Sequence, residues 1–232
     1  MTTVTLFAIH DMSTDWRPYL PYMEEEVLLR VQRMRRKEDR QRTICAHLLA
    51  KMTVSQTHQI PLPELHFTKD KSGKYQTGCE NVHFNVSHAG DYVACAVSSR
   101  PVGIDIEQHV PRNFLLFQTL WSEEEKRRYP LQETEAFYAL WTAKESYGKY
   151  KGFGLHPSLA QTTIRQDGSV HHTGAEQARI IPFSLMSHYS AAVCLEDSLE
   201  SITQCSWTDI ATFYEKSMET SVSSATVAGE LL

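Results

Sequence analysis

No stretch of this 232-residue chain approaches the roughly 18 consecutive apolar residues that a membrane-spanning helix needs. The N-terminus has neither a positively charged lead nor a long apolar stretch, so no secretory signal is visible and a cytoplasmic location is expected. The chain has no C-x-x-C pair. Its five cysteines, at 45, 79, 95, 194 and 205, are odd in number and scattered, which argues against a zinc ribbon or a disulfide framework and for reduced thiols. There is no basic excess. The formal charge of −5 argues against a nucleic-acid or anionic-membrane binder. No internal sequence repeat is present.

What is present is enough apolar residue, 41%, for a real core in one large domain or two small ones. Residues 3–10 read as a strand and residues 23–55 as one long helix. Short strands are expected near 64–68, 82–87, 92–98 and 102–107, with a hairpin turn at Ala89-Gly90-Asp91. Ser122 followed by three glutamates reads as a helix start with acids in its first turn. Residues 133–151 read as a long helix, and strands near 161–166, 169–173 and 188–195 follow, the first two joined at Asp167-Gly168. From Ser217 to Leu232 the chain is rich in Ser and Thr without an apolar period, and is expected to fray.

Three segments carry chemistry. Residues 103–107 read Gly-Ile-Asp-Ile-Glu, and a period of two sends Ile104 and Ile106 to one face and Asp105 and Glu107 to the other. Two adjacent carboxylates repel unless they are solvated or share a cation, so an exposed strand face and a cation site are both open readings. In the 133–151 helix, Trp141, Glu145 and Lys149 stand at i, i+4 and i+8 and form one stripe, with Gly148, Gly152 and Gly154 crowding its end. An acid and an amine four apart also make an ordinary surface ion pair. Together the two segments supply three hard oxygen ligands and a phosphate-binding cation, which suits chemistry on a magnesium-bound pyrophosphate. The third segment places Ser87 and His88 at a strand end beside a turn, where a hydroxyl, an imidazole and turn amides could meet a phosphate. A structural or surface role is the plainer reading for each. Residues 30–42 are strongly basic, carrying Arg30, Arg33, Arg35, Arg36, Lys37, Arg40 and Arg42 against Glu38 and Asp39. By itself such a segment also reads as a solvated helix face.

In this order and at intervals of about 15 and 35 residues, the motifs Phe84 to Ala89, Gly103 to Glu107 and Trp141 to Lys149 resemble those of the 4′-phosphopantetheinyl transferases. The resemblance is to the double-length, surfactin-synthetase-activating type. Lys37 to Thr43 and Ser72 to Tyr75 also resemble family segments, with Tyr75 standing where that family has proline. The resemblance covers roughly residues 1–200. It implies an α+β fold of two pseudo-equivalent halves, residues 1–108 and 109–200, with the active site between them and a C-terminal extension over 201–232. It implies Mg²⁺, or Mn²⁺ in its place, held by Asp105, Glu107 and Glu145. It implies coenzyme A as co-substrate, gripped at Arg42, Thr43, Gly73, Lys74, Ser87, His88 and Lys149. Arg30 and Arg36 are further candidates for its 3′-phosphate, and Lys144 for a phosphate contact. The partner would be an apo acyl or peptidyl carrier protein in nonribosomal peptide, polyketide or fatty acid synthesis. Its serine is the nucleophile, and adenosine 3′,5′-bisphosphate is the second product. Glu145 would take the serine proton, directly or through a water on the metal, and Lys149 would offset charge on the pyrophosphate. The enzyme would be a monomer. Glu125 is a fourth carboxylate, either part of the site or an exposed helix start. Two other classes use the same carboxylates: a metal-dependent nucleotide pyrophosphate hydrolase, and an inactive module that binds carrier protein or coenzyme A.

Overall fold

The chain begins on a strand, β1 (Thr2–Ala8), whose Val4 and Leu6 face one way and Phe7 the other, so both faces are covered. The computed structural model describes residues 1–13, 15–130, 132–153, 156–171 and 177–229. Two helices follow, α1 (Glu25–Arg33) and α2 (Lys37–His58). They replace the single helix expected over 23–55. Met34 and Arg36 adopt extended backbone, which breaks the helix and folds α1 back on α2. Val27 and Val31 of α1 enter the same core as Leu48 and Leu49 of α2, and that burial favours the break over a continuous rod.

Next come β2 (Thr68–Lys69), β3 (Tyr75–Gln76), β4 (His83–Ala89), β5 (Tyr92–Ser98) and β6 (Val102–Gln108). The β4–β5 hairpin turns where expected, at Ala89-Gly90-Asp91. Then come α3 (Glu123–Arg128), α4 (Thr134–Lys151), β7 (Thr163–Ile164), β8 (Val170–His171), β9 (Arg179–Phe183), β10 (Tyr189–Leu195), β11 (Leu199–Cys205) and α5 (Trp207–Gly229). Of the strand expected at 169–173, residues 172 and 173 lie outside the described residues, as do Gly154 and residues 230–232.

One sheet has the order β11-β1-β5-β4 and a second the order β6-β10-β9. Helix α2 covers the outer face of the first sheet and α4 that of the second. Val4, Leu6, Ala94 and Ala96 of the first sheet meet Ile104, Ile106, Val193 and Leu195 of the second in a dry layer between them. The order through the molecule is therefore helix, sheet, sheet, helix. Strand β6, expected to close the first half at residue 108, hydrogen-bonds into the second sheet. The segment read as an extension from 201 is built into the first sheet and its core. There β11 pairs parallel with β1, and the Tyr214 hydroxyl of α5 donates to the Leu48 carbonyl at 2.9 Å. The backbone from Ser217, where fraying is expected, continues the helix to Gly229, and Ile210 and Tyr214 upstream are buried.

The two sheets meet at an unusual seam. Strands β4 and β6 run side by side, and the β6 amides of Ile104 and Ile106 donate to Asn85 Oδ1 (2.9 Å) and Ser87 Oγ (3.3 Å). Side chains two residues apart on β4 thus satisfy amides two residues apart on β6, as buried N–H groups require.

Candidate active site

The alternation in β6 acts as its spacing predicts. Ile104 and Ile106 enter the layer between the sheets, while Gly103, Asp105 and Glu107 face α4. A Cβ on Gly103 would lie 2.1 Å from the Ser146 carbonyl oxygen and 2.3 Å from the Tyr150 nitrogen. Only glycine lets the strand lie this close to the helix backbone.

Across that contact the α4 stripe meets the β6 carboxylates. Trp141 Nε1 donates to Glu107 Oε1 at 3.1 Å, which accounts for a tryptophan in a polar stripe. Lys149 Nζ donates to Asp105 Oδ1 at 2.7 Å and to Ser87 Oγ at 2.8 Å. The lysine therefore pairs across the seam with Asp105, and the surface pair with Glu145 that its spacing also allowed is absent among the described ion pairs. Ser87 Oγ in turn donates to Asp105 Oδ1 at 3.0 Å. With the Ile106 amide and Lys149 as donors to it, this hydroxyl is saturated, and it reaches a phosphate oxygen only by giving up a bond.

The three carboxylates are poorly compensated. Burial raises the pKa of Asp105, against the pull of Lys149. Burial and then the charge of Asp105 raise Glu107, although Trp141 and Arg112 oppose this. Arg112 stands 3.8 Å from Glu107 Oε2 and was not singled out in the sequence, because an isolated arginine in a loop carries no periodic signal. Glu145 is pushed up to about 7, first by burial and then by Asp105, with Lys149 opposing. Asp105 Oδ2 and Glu145 Oε1 are buried without a hydrogen-bond partner. Buried acceptors that repel one another and lack donors suit a hard divalent cation. Among the described residues, no three ligand side chains already stand as a metal-holding group. Lys149 occupies Asp105 Oδ1, so the oxygens available are Oδ2 of Asp105 and the carboxyl groups of Glu107 and Glu145.

Beside these carboxylates opens a cleft of about 330 Å³ between α2, β4 and the β2–β3 turn. Arg30, Thr43, His88 and Lys149 line one end, and Ala46, Ala50, Phe67, Tyr75 and Phe84 the other. The cleft continues into a cup of about 340 Å³, lined by Arg30, Met34, Arg35, Arg36, Asp39, Thr43 and His88, at the break between α1 and α2, with Asp39 itself paired to Arg42. His88 is surface-exposed yet crowded by the cleft walls; that crowding, with Arg42 and Lys149, lowers its pKa and favours the neutral imidazole. Arg42 is not among the residues lining either space. Its guanidinium donates to the Gly90 carbonyl at 2.9 Å and to Asp39 at 2.5 Å, bracing the turn behind His88. On the far side a Cβ at Gly90 would lie 2.2 Å from the Tyr189 hydroxyl, so this turn is held between α2 and the second sheet.

Lys74 lines the cleft while donating to the carbonyls of Val102 (3.0 Å) and Lys149 (2.7 Å), and burial lowers its pKa to about 8. It ties the turn at Gly73 to β6 and to the C-terminal end of α4. Lys144 is not at the site. Its ammonium is buried and bonds Glu125 Oε2 (2.7 Å) and the carbonyls of Leu159 and Thr162 (both 2.6 Å). Glu125 is fully buried and not an exposed helix start, although the capping box expected around Ser122 is formed. Its carboxylate also accepts from the Ile164 amide at 2.8 Å. Lys144 and Glu125 thus brace α4 against α3 and β7.

Residues 10–100 match the family model described as 4′-phosphopantetheinyl transferase, N-terminal, and residues 101–197 that of the 4′-phosphopantetheinyl transferase superfamily. A 4′-phosphopantetheinyl transferase of Bacillus subtilis is 33% identical over 168 residues, 68% of this chain and 75% of that protein. The transferase ffp of Bacillus subtilis is 30% identical over 203 residues, 81% and 89% of the two chains. The transferase psf-1 of Bacillus pumilus is 30% identical over 184 residues, 75% and 79%.

Proposed function

This chain belongs to the 4′-phosphopantetheinyl transferases, and on that premise we propose how its residues divide the work of moving phosphopantetheine from coenzyme A to a carrier-protein serine. The observation that carries the reading is the seam between β6 and α4. Three under-compensated carboxylates stand there around Lys149, which pairs with Asp105 and also lines a cleft with cations at one end and aromatic rings at the other.

Arg30, Arg36, Thr43 and His88 take the 3′-phosphate, since guanidinium groups suit a dianion. Arg42 supports this from behind by fixing the turn that presents His88. Gly73 and Lys74 wall the nucleotide. Asp105, Glu107 and Glu145 would hold Mg²⁺ or Mn²⁺, which when bound offsets the charge of the pyrophosphate. The carrier serine oxygen forms a bond to the phosphorus nearer the pantetheine, and the bridging P–O bond breaks with its electron pair leaving on adenosine 3′,5′-bisphosphate. Glu145 accepts the serine proton, directly or through one water. Lys149 lies within reach of the same seam and stabilises negative charge on the oxygens of the transferring phosphoryl group.

The two halves are read as pseudo-equivalent because each runs strand, helix, hairpin: β1, α2, β4, β5 and β6, α4, β9, β10. Their sheets share the antiparallel orders β1-β5-β4 and β6-β10-β9. The division then falls between β5 and β6. One chain supplies every proposed site residue, which supports a monomer. No helix among the described residues is long and apolar enough to cross a membrane, and the five cysteines are free. These support a cytoplasmic location. The test is incubation with coenzyme A, Mg²⁺ and an apo carrier protein, read by the mass of the carrier. A carrier heavier by one phosphopantetheine supports the reading. Free bisphosphate with an unchanged carrier would replace it by hydrolysis, and no product of either kind by a binding module.

A further inference from the structure

The β4–β5 turn that presents His88 is held from three directions. From α2, Arg42 donates to the Gly90 carbonyl at 2.9 Å. From the residue after β1, the Ile9 amide donates to the Asp91 carbonyl at 2.7 Å. From the second sheet, the Tyr189 hydroxyl accepts from the Asp91 amide at 3.0 Å. The first two contacts come from the half that bears the turn, and the third crosses over from the other half. Gly90 closes the turn at a φ of +53°, and a Cβ there would also lie 2.6 Å from Gln108 Oε1, so the second sheet meets the turn at close range.

Tyr189 is itself fixed. Its ring is buried in the layer between the sheets and meets Tyr92 edge-on, with ring centres 5.1 Å apart and planes at 84°. Its backbone pairs with Gln108, the residue after Glu107, in the β6–β10 ladder. The strand pair that carries a proposed metal ligand therefore also ends against the turn that carries His88. In coenzyme A the 3′-phosphate and the pyrophosphate sit on one ribose at a set separation. A site that engages both needs its two grips at a matching spacing.

We propose that Tyr189 is a positioning residue for the 3′-phosphate grip: its hydroxyl fixes the Asp91 amide and, through the turn, the place of His88 relative to β6. The inference rests on the coenzyme A reading above and adds to it a residue that lines neither the cleft nor the cup. Removing the hydroxyl alone keeps the ring and its packing and frees the turn on one side.

Calorimetric titration of the full chain with coenzyme A and with dephospho-coenzyme A, which lacks the 3′-phosphate, tests this. Wild type is expected to bind coenzyme A the more tightly. Tyr189→Phe should weaken coenzyme A by at least about threefold, the lower range for one hydrogen bond, and leave dephospho-coenzyme A near its wild-type affinity. In a His88→Ala background the same change should no longer weaken coenzyme A, because Tyr189 acts through the imidazole. Reciprocity adds a measurement on the unaltered chain. Saturating coenzyme A should slow hydrogen exchange at the Asp91 amide, read by nuclear magnetic resonance, more than saturating dephospho-coenzyme A does. That measurement decides the matter if circular dichroism shows Tyr189→Phe to be unfolded. A folded Tyr189→Phe that weakens both ligands equally, weakens neither, or costs as much in the His88→Ala background would overturn the positioning role. Equal exchange at Asp91 in the two complexes would overturn it too. A wild type that binds both ligands equally would overturn the 3′-phosphate reading, and the role of Tyr189 with it.

Discussion

At the residue scale the site is a balance of charge. Asp105 sits in a buried seam with one oxygen on Lys149 and Ser87 and the other without a partner. Asp105→Asn keeps the shape and removes a proposed ligand, so turnover should fall by at least ~100-fold, or about 2.7 kcal/mol on the barrier. Its melting temperature should hold or rise, because a repelling charge is removed; near-wild-type turnover at limiting Mg²⁺ would sink the ligand assignment. The raised carboxyl pKa values give a second expectation. An acid whose folded pKa lies above its unfolded one favours folding below the unfolded value and loses that contribution as pH rises through the folded one. For Glu145 that window runs from 4.5 to about 7. At pH 8 the ionised trio works against the fold and a bound cation relieves it; at pH 5 the proton on Glu145 already removes one of the repelling charges. Mg²⁺ should therefore raise the melting temperature more at pH 8 than at pH 5. Equal shifts at both values would show that the cation binds elsewhere.

At the scale of elements, the site depends on how closely β6 and α4 approach and on what fixes the register of α4. Gly103→Ala places a methyl into the helix backbone, so the two must part. A stability loss of about 1–3 kcal/mol by urea unfolding is expected, with a loss of turnover larger than the stability change explains. Turnover kept at the wild-type level would show that the spacing of the seam is not what matters. The brace behind α4 is a buried ion pair. Lys144→Met leaves Glu125 uncompensated and should cost about 3–5 kcal/mol, whereas Lys144→Met with Glu125→Gln should cost clearly less. A double variant no better than the single would mean that the lysine acts through its carbonyl bonds to Leu159 and Thr162 alone. In the other half, Glu24 at the start of α1 meets His47 at 2.5 Å and Lys51 at 2.8 Å and accepts the Phe67 amide at 3.0 Å. These partners outweigh the effect of burial and hold its pKa at about 2. Its stabilisation is present above 4.5 and is lost as pH falls through about 2. Glu24→Gln should lower stability at pH 7, and by urea titration the gap to wild type should narrow towards pH 2.

At the scale of the molecule, the C-terminal segment belongs to the first half. Strand β11 covers the edge of β1, and Tyr214 of α5 stacks edge-on against Tyr19 while bonding the Leu48 carbonyl. A chain ending at Ser206 keeps β11 but exposes the faces that bury Ile210 and Tyr214. It should melt well below the full chain and bind hydrophobic dyes, although no proposed site residue is lost. An unchanged melting temperature would show that α5 is dispensable to the core.

The chemistry was legible in the sequence because it is written in short periods. Alternation put Asp105 and Glu107 on one face of β6, helical spacing put Trp141, Glu145 and Lys149 on one stripe, and the capping signal at Ser122 marked a real helix start. Each is a local backbone periodicity, and a chain carries it wherever it folds. The rest is pairing between residues far apart in sequence, which no local pattern encodes. That Lys149 turns to Asp105 and not to Glu145, that Arg42 braces a turn while Arg30 and Arg36 line the cup, that Lys144 is buried on Glu125, and that β11 closes the first sheet were all decided by packing. The reason in each case is the same. A buried charge or an open strand edge must find a partner across the fold, and which partner stands within reach depends on how the two helix-covered sheets meet.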